Sequence, residues 1–207
     1  MANSANFSNI YKFYDFINKL ITLGFDTVWR KRAINIITGN KVLDLGSGTG
    51  ASFNLLKAFD VTAIDPDENM LRLNKFNNKI VGKAELLPFE DNSFDCVIST
   101  FVWRNLDNPK KSLEEVRRVL KPEGNFILLD MTRPKNKLKF IIHFLGTYLL
   151  TNLIGIHTMN LEEYRFLHKS LDKYPQPEQH LEDNPFMKFK ISRMGLFGFV
   201  YLAEFTD

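Results

Sequence analysis

Cysteine is nearly absent: the chain has one, Cys96, in 207 residues. That excludes an internal disulfide, a thiolate metal cluster and two-thiol redox chemistry, and it fits a reducing, cytoplasmic compartment. An excess of charge is also lacking. There are 27 Lys and Arg against 24 Asp and Glu, spread along the chain, so no nucleic-acid partner is expected. No internal repeat, Ser/Gly linker or long block of like charge is present. The first residues show no basic start followed by an apolar run, so no secretory leader is expected. The most apolar window, 140–156 (FIIHFLGTYLLTNLIGI), falls just short of a bilayer span and carries His143 and Asn152. A lid over a substrate, or an interfacial helix, fits it better, with Lys135, Lys137 and Lys139 on its N-terminal side.

What is present is a strand–helix alternation. Residues 1–38 read as N-terminal helices. Residues 41–45 (KVLDL) read as a short apolar strand, followed at once by Gly46-Ser47-Gly48-Thr49-Gly50 and a helix over 51–58. A second strand covers 61–65 (VTAID), and a helix over 67–73 has Asp67 as N-cap. Third and fourth strands cover 79–81 and 94–100. Asn108-Pro109 opens a helix as an N-cap followed by proline should, with Leu113, Val116, Val119 and Leu120 on its core face. Lys121-Pro122-Glu123-Gly124 should stop that helix and turn the chain into a fifth strand, 125–130. This order predicts an α/β fold, a mostly parallel sheet covered on both faces. The alternation then breaks. Two helical stretches, 136–151 and 161–171, the second with capping-box spacing at Asn160 and Glu163, precede two closing strands, 187–191 and 196–205, joined through Arg193-Met194-Gly195. The chain thus reads as one domain: N-terminal helices 1–38, a ligand-binding core 39–130, a helical cap 131–184 at the carboxyl edge of the sheet, and a closing hairpin 185–207.

The glycine loop is the most informative stretch. Glycines let a ligand approach the backbone, and the helix start beyond offers free N–H donors. A dinucleotide fingerprint spaces its glycines G-x-G-x-x-G; here the third comes one residue early. Asp44 stands two residues before the first glycine, where it would repel a pyrophosphate but attract an amino group and a sulfonium. Asp65 ends the second strand, placed to accept ribose hydroxyls. Both features point to S-adenosylmethionine. The bland alternative is a strand-to-helix turn with no ligand.

With these residues the sequence resembles the class I methyltransferases, whose Rossmann-like, seven-stranded sheet with an antiparallel closing hairpin becomes the expected fold. The resemblance runs on through Ala84-Glu85-Leu86-Leu87-Pro88-Phe89, Asp91-Asn92-Ser93-Phe94-Asp95 and Val119-Leu120-Lys121-Pro122-Glu123-Gly124. It is strongest to the ubiquinone/menaquinone biosynthesis C-methyltransferase family, on Tyr14-Asp15-Phe16-Ile17-Asn18, Leu23-Gly24, Trp29-Arg30, Arg104-Asn105-Leu106, Tyr164-Arg165-Phe166-Leu167, Ser170 and Pro175. It implies methyl transfer to a ring carbon of a lipophilic quinol precursor, with contact to a membrane surface and a homo-oligomer both compatible with that role. It implies cofactor contacts from Tyr14, Asp44, Gly46, Ser47, Gly48, Thr49, Gly50, Asp65, Pro66, Met70, Lys83, Ala84, Glu85 and Thr100, and no metal. Two departures stand out. Lys83 replaces the usual Asp or Asn beside the adenine, leaving backbone contacts from Ala84 and Glu85. Trp103 replaces a smaller apolar residue, which would reshape the acceptor pocket. The helix before the last two strands is cut to 176–183.

A sulfonium carries its own activated methyl, so the protein's task is alignment and exclusion of water. A ring carbon becomes a good nucleophile when an adjacent hydroxyl is deprotonated. The resemblance implies that Arg104 and Asn105 act on that hydroxyl. Arginine is too basic to take the proton readily, so stabilising the phenolate is the better role; a plain salt-bridge or cap role is the alternative. Tyr14 would close over the cofactor or sit in the core. His143, His157, His168 and His180 are acid–base candidates or packing residues. Phe140, Phe144, Tyr148, Leu149 and Leu150 would line a prenyl tunnel or a helix core. A methyltransferase for another small molecule, and a cofactor-binding protein without catalysis, are the competing functions.

Overall fold

The computed structural model describes residue 22 and residues 24–158, 169–174 and 176–207. Seven strands form one sheet in the order β3-β2-β1-β4-β5-β7-β6. They are β1 (Lys41–Leu45), β2 (Asp60–Asp65), β3 (Asn78–Val81), β4 (Phe94–Thr100), β5 (Leu120–Met131), β6 (Lys188–Met194) and β7 (Val200–Thr206). β1 pairs in parallel with β2 and β4, as do β2 with β3 and β4 with β5; β7 runs antiparallel to both β5 and β6. The strand order reverses between β1 and β4, and in such sheets ligands bind in the crevice beyond the carboxyl ends at that point.

Strands covered on both faces read as continuous apolar runs, and β1 is buried at every position but Lys41. Alternate residues feed two cores. Leu43, Leu45, Ile64, Val97, Phe126, Leu128, Tyr201 and Phe205 lie with Leu113 and Val116 in one. Val42, Ala63, Cys96, Ile98, Ile127, Leu129 and Leu202 lie with Trp29, Ala33 and Leu56 in the other. Helix α1 (Asp26–Ile34) buries Asp26, Trp29, Arg30, Ala33 and Ile34, a stripe at helical spacing that includes an acid and a base. α2 (Phe53–Leu56) is half the expected 51–58 helix. α3 (Glu68–Leu73) is capped as predicted, Asp67 accepting from the N–H groups of Asn69 and Met70. α4 (Pro109–Val119) begins at Asn108, which accepts from the N–H of Lys111.

Three expectations need correcting. Residues 121–124 are not a helix-to-strand turn: β5 begins at Leu120, opposite Phe94, and five of its residues pass while β4 advances two, from Phe94 to Cys96. This is a bulge, held where Lys121 Nζ donates to Asp95 at 2.6 Å. The closing hairpin turns later than expected, through Gly195 and a short 3₁₀ turn, Leu196–Gly198, so Arg193 and Met194 belong to β6. The first cap helix, α5 (Lys137–Thr158), outruns its expected end at 151. Asn136 Oδ1 accepts from the N–H groups of Leu138 and Lys139 at its start. Of the second cap helix only residues 169–173 are described, and they are helical; the Asn160/Glu163 pair and the Tyr164–Leu167 motif lie outside the described residues. A short α6 (Pro177–His180) stands within the expected 176–183.

Candidate active site

The glycine loop leaves β1 with positive φ at all three glycines: 72° at Gly46, 51° at Gly48 and 83° at Gly50. Side chains here would also collide. A Cβ on Gly46 would lie 2.5 Å from Val102, and one on Gly50 2.7 Å from Asn74 Oδ1. Gly48 is the more open, with Met70 Cε at 3.3 Å. Asn74, which sequence reasoning missed, clamps the loop: its Nδ2 donates to Ser47 Oγ and to the Gly48 carbonyl, each at 3.0 Å. The Ser47 hydroxyl therefore serves the loop's own structure. Thr49 is half-buried, Pro66 is exposed and Met70 is buried. Tyr14 lies outside the described residues.

Asp65 is buried and organises the same turn. Its Oδ2 accepts from Gly48 N–H at 3.0 Å and its Oδ1 from Asp67 N–H at 2.9 Å. Burial raises its carboxyl above the usual range, against the pull of those two donors. Each oxygen keeps a second lone pair for a ligand hydroxyl. Asp44 differs: it is 2% exposed, and its Oδ2 is buried without a hydrogen-bond partner. Burial pushes its pKa up to about 7, with Arg30 opposing and Asp65 adding to the rise. Arg30 donates to Ser52 at 2.9 Å and to Thr100, and stands 3.9 Å from Asp26. Thr100 is thus a partner of Arg30. An unpaired buried carboxylate is costly. Beside a loop of close-approach glycines, it fits a ligand that brings a cationic amino group, as S-adenosylmethionine does.

Past β3, Lys83 is exposed and turned to Asp107, at 3.7 Å. Ala84 is buried in the core. Glu85 accepts from the N–H groups of Asp107 and Asn108, at 3.1 and 3.2 Å, ahead of α4.

At the carboxyl end of β4 the chain turns sharply. Phe101 sits at φ 64°, a strained conformation for a bulky residue. Its N–H donates to Leu129 O at 2.7 Å, and its carbonyl accepts from Arg104 Nη1 at 3.2 Å. Arg104 is not a free cation facing a substrate. Its guanidinium pairs with Asp130, and its own N–H donates to Asp130 Oδ2 at 2.9 Å. The pair is buried, with side-chain exposures of 8% and 0%. Asp130, the residue that fixes Arg104, was also missed by sequence reasoning. Asn105 Oδ1 is buried without a partner. Trp103 is fully buried, 5.3 Å from the Phe126 ring, so it fills the core and does not shape a pocket.

In the cap, His143 is buried against Arg133 and 4.9 Å from the Phe199 ring. Phe140 and Phe144 lie over the Arg133 guanidinium at 5.7 and 5.3 Å. His180 Nδ1 is 3.1 Å from the Gln176 carbonyl, which makes it the donor, and its ring packs on Tyr174 at 4.2 Å. Tyr148 and Leu149 are exposed. The side chains of Leu150, His157 and His168 lie outside the described residues.

The same architecture occurs in solved structures. A methyltransferase from Thermotoga maritima described as a possible histamine N-methyltransferase superposes with a TM-score of 0.68, at 17% identity, over 95% of this chain and 97% of that one. An Archaeoglobus fulgidus S-adenosylmethionine-dependent methyltransferase gives 0.66, at 17% identity, over 94% and 100%. At that identity the likeness shows the fold alone. Sequence relatives are nearer. The demethylmenaquinone methyltransferase of Thermotoga maritima is 34% identical over 92% of this chain and 89% of that protein. The ubiquinone/menaquinone biosynthesis C-methyltransferase of Pasteurella multocida is 34% identical over 78% and 68%. The family model for ubiE/COQ5 methyltransferases matches residues 3–187, a span holding both the clamped glycine loop and the Arg104 turn. By both measures the chain belongs to the ubiE/COQ5 methyltransferase family.

Proposed function

We propose that this protein moves a methyl group from S-adenosylmethionine to a ring carbon of a prenylated quinol precursor. The observation that carries the reading is the unpaired, buried Asp44 carboxylate beside the glycine loop, in a chain with relatives named for demethylmenaquinone and for ubiquinone/menaquinone biosynthesis. When bound, the cofactor supplies a methyl on a sulfonium, ready for in-line displacement. Asp44 holds the amino group. Asp65 holds the ribose with the lone pairs its backbone donors leave free. The glycines let the ligand reach the backbone of 46–50. Arg104, fixed by Asp130, and Asn105 stand at the acceptor side, where an oriented guanidinium stabilises a phenolate and so raises the nucleophilicity of the ring carbon.

A lipophilic acceptor resides in a bilayer, and α5 supports a peripheral contact with one. Leu138, Ile141, Ile142, Leu145, Tyr148 and Leu149 recur at helical spacing and are 49–67% exposed. Among the described side chains of α5 only His143 is buried, which argues against a helix packed flat as a fixed lid. Lys137 and Lys139 flank the stripe, and residues 137–158 contain no acid; Lys135 is drawn to Glu178 at 3.1 Å. No helix among the described residues is long and apolar enough to cross a membrane. An apolar face with basic flanks lies in the interface instead.

The test is turnover of labelled S-adenosylmethionine against a panel of quinols and unrelated acceptors. Methylated product from a demethylated naphthoquinol or benzoquinol is the expected result. Product only from unrelated acceptors would replace the quinol, and binding without turnover on anything would remove the enzyme reading.

A further inference from the structure

One strained turn joins the glycine loop to Arg104. β1 and β4 lie side by side, with Leu45 in register with Ser99. The glycine loop leaves the first strand, and residues 101–104 leave the second. Phe101, at φ 64°, donates its N–H to the Leu129 carbonyl at 2.7 Å, and its own carbonyl accepts from Arg104 Nη1 at 3.2 Å. Its side chain is buried, and Arg30 Cζ lies 5.0 Å from the centroid of its ring. Val102 presses on the glycine loop so closely that a Cβ on Gly46 would stand 2.5 Å from it. Arg104 follows, its N–H donating to Asp130 Oδ2 at 2.9 Å. Its Nη1 carries two hydrogens, and Asp130 Oδ1 and the Phe101 carbonyl take both.

A left-handed backbone is costly at a bulky residue, and glycine or asparagine adopts it at less cost. Such strain persists where the surroundings over-determine it, and it gathers at functional sites. Here the bonds on both sides of Phe101 and the burial of its ring over-determine it. With a negative φ the peptide beyond Phe101 would rotate, and its carbonyl could not keep facing Arg104 while Val102 kept its seat on Gly46. In-line methyl transfer needs the reacting atoms about 3–3.5 Å apart and aligned, and a misplacement of about 1 Å costs on the order of 100-fold. The glycine loop places the donor and Arg104 the acceptor oxygen, so whatever fixes one against the other sets that alignment. We propose that Phe101 is a positioning residue for methyl transfer: its left-handed backbone seats Val102 on the glycine loop and holds Arg104 where the acceptor oxygen needs it. No bond is made or broken at Phe101. This rests on the quinol-methylating reading above.

Leucine and isoleucine are isomers, so Phe101→Leu and Phe101→Ile remove the same ring and nearly the same volume. They differ in branching: isoleucine, branched at Cβ, tolerates a positive φ far less well. Phe101→Ile should lower kcat on a quinol by roughly 100-fold, and Phe101→Leu by much less. Calorimetry with S-adenosylhomocysteine should give both variants an affinity close to that of the wild type. The kcat losses should vanish in an Arg104→Ala background, because a positioning residue acts through Arg104, whereas independent effects add. Val102→Ala, a smaller change at a half-buried side chain, probes the same link should Phe101→Ile not fold. It too should lower kcat in the wild type and not in Arg104→Ala. Equal losses in the Leu and Ile variants, or losses that add to that of Arg104→Ala, would overturn the proposal and leave the quinol reading intact. A wild type inactive on every quinol would overturn both.

Discussion

The sharpest consequence of the site is a pH-dependent affinity set by Asp44. Its carboxyl is raised from 3.8 to about 7, chiefly by burial. A raised carboxyl favours the neutral form in the fold. Its contribution to stability is therefore full below about pH 3.8 and is lost as pH rises through about 7. A ligand amine needs the opposite, an ionised Asp44. The ionised fraction is about three-quarters at pH 7.5 and about 3% at pH 5.5, so affinity should fall roughly 25-fold between them, near 1.9 kcal/mol. An α-amine of pKa about 7.7–8.0 is about 60–75% protonated at pH 7.5 and fully so at pH 5.5, which trims the expected fall to roughly 15–20-fold. Calorimetry with S-adenosylhomocysteine, which keeps the amine, reads this directly. Asp44→Asn should bind more weakly at pH 7.5 and show little slope. A wild type whose affinity is flat across this range would refute the assignment of Asp44 to the amine, as would an equal slope in Asp44→Asn.

Asp65→Ala should weaken S-adenosylhomocysteine binding by roughly 1.5–3 kcal/mol, the scale of hydrogen bonds to charged groups; unchanged calorimetric affinity would reject the ribose assignment. Gly50→Ala forces a side chain into a φ of 83° and against Asn74. It should lower stability by roughly 1–2 kcal/mol or more, and an unchanged melting temperature would show that the loop can relax. On anionic vesicles the wild type should co-sediment at low salt and release as salt rises. Lys137/Lys139→Ser should weaken this by about 1 kcal/mol per lysine at most and Ile142/Leu145→Ser by more; no sedimentation at low salt would leave α5 without a lipid role.

What could be read from the sequence follows from range. The glycine loop, the Asp67 cap and the Asn108-Pro109 helix start are local devices whose parts lie within a few residues, and each stands where the pattern put it. The strands were legible because β1, β2 and β4 are buried on both faces and each centres on a short apolar run between polar ends. Features made by distant partners were not legible. Asp130 lies 26 residues beyond Arg104, and only the pairing of β4 with β5 joins them, so the sequence left Arg104 between a phenolate stabiliser and a salt-bridge residue and could not name its partner. Asn74 resembles any polar residue at a helix end until the chain folds it under Gly48. The stripe of α1 is obscured for another reason: two of its five buried positions are Asp26 and Arg30, which a count of apolar residues scores as exposed. Trp103 misled because a large side chain in place of a smaller apolar one suggests a reshaped pocket, whereas the 3₁₀ turn at Trp103–Asn105 points it into the core.

The same long-range pairings sort charge along the crevice. Behind the glycine loop, Asp44 and Asp65 are both buried. The cation that acts on Asp44 is Arg30, and Arg30 already divides its donors between Ser52 and Thr100 and its charge with Asp26. Asp44 and Asp26 share that guanidinium, and Asp65 is met by the N–H groups of Gly48 and Asp67, so among the described residues that end is short of positive charge. At the ends of β4 and β5 the balance is even, since Arg104 and Asp130 cancel. A pyrophosphate entering the first end would meet carboxylates with no free cation among the described residues to offset them, whereas an amine and a sulfonium would supply what is lacking. A neutral, apolar ring would suffer no such penalty at the second end. The spacing of three glycines is thus one of two barriers to a dinucleotide. The other is the electrostatics of Asp44, an acid that the fold keeps buried and leaves unpaired for a cation to complete.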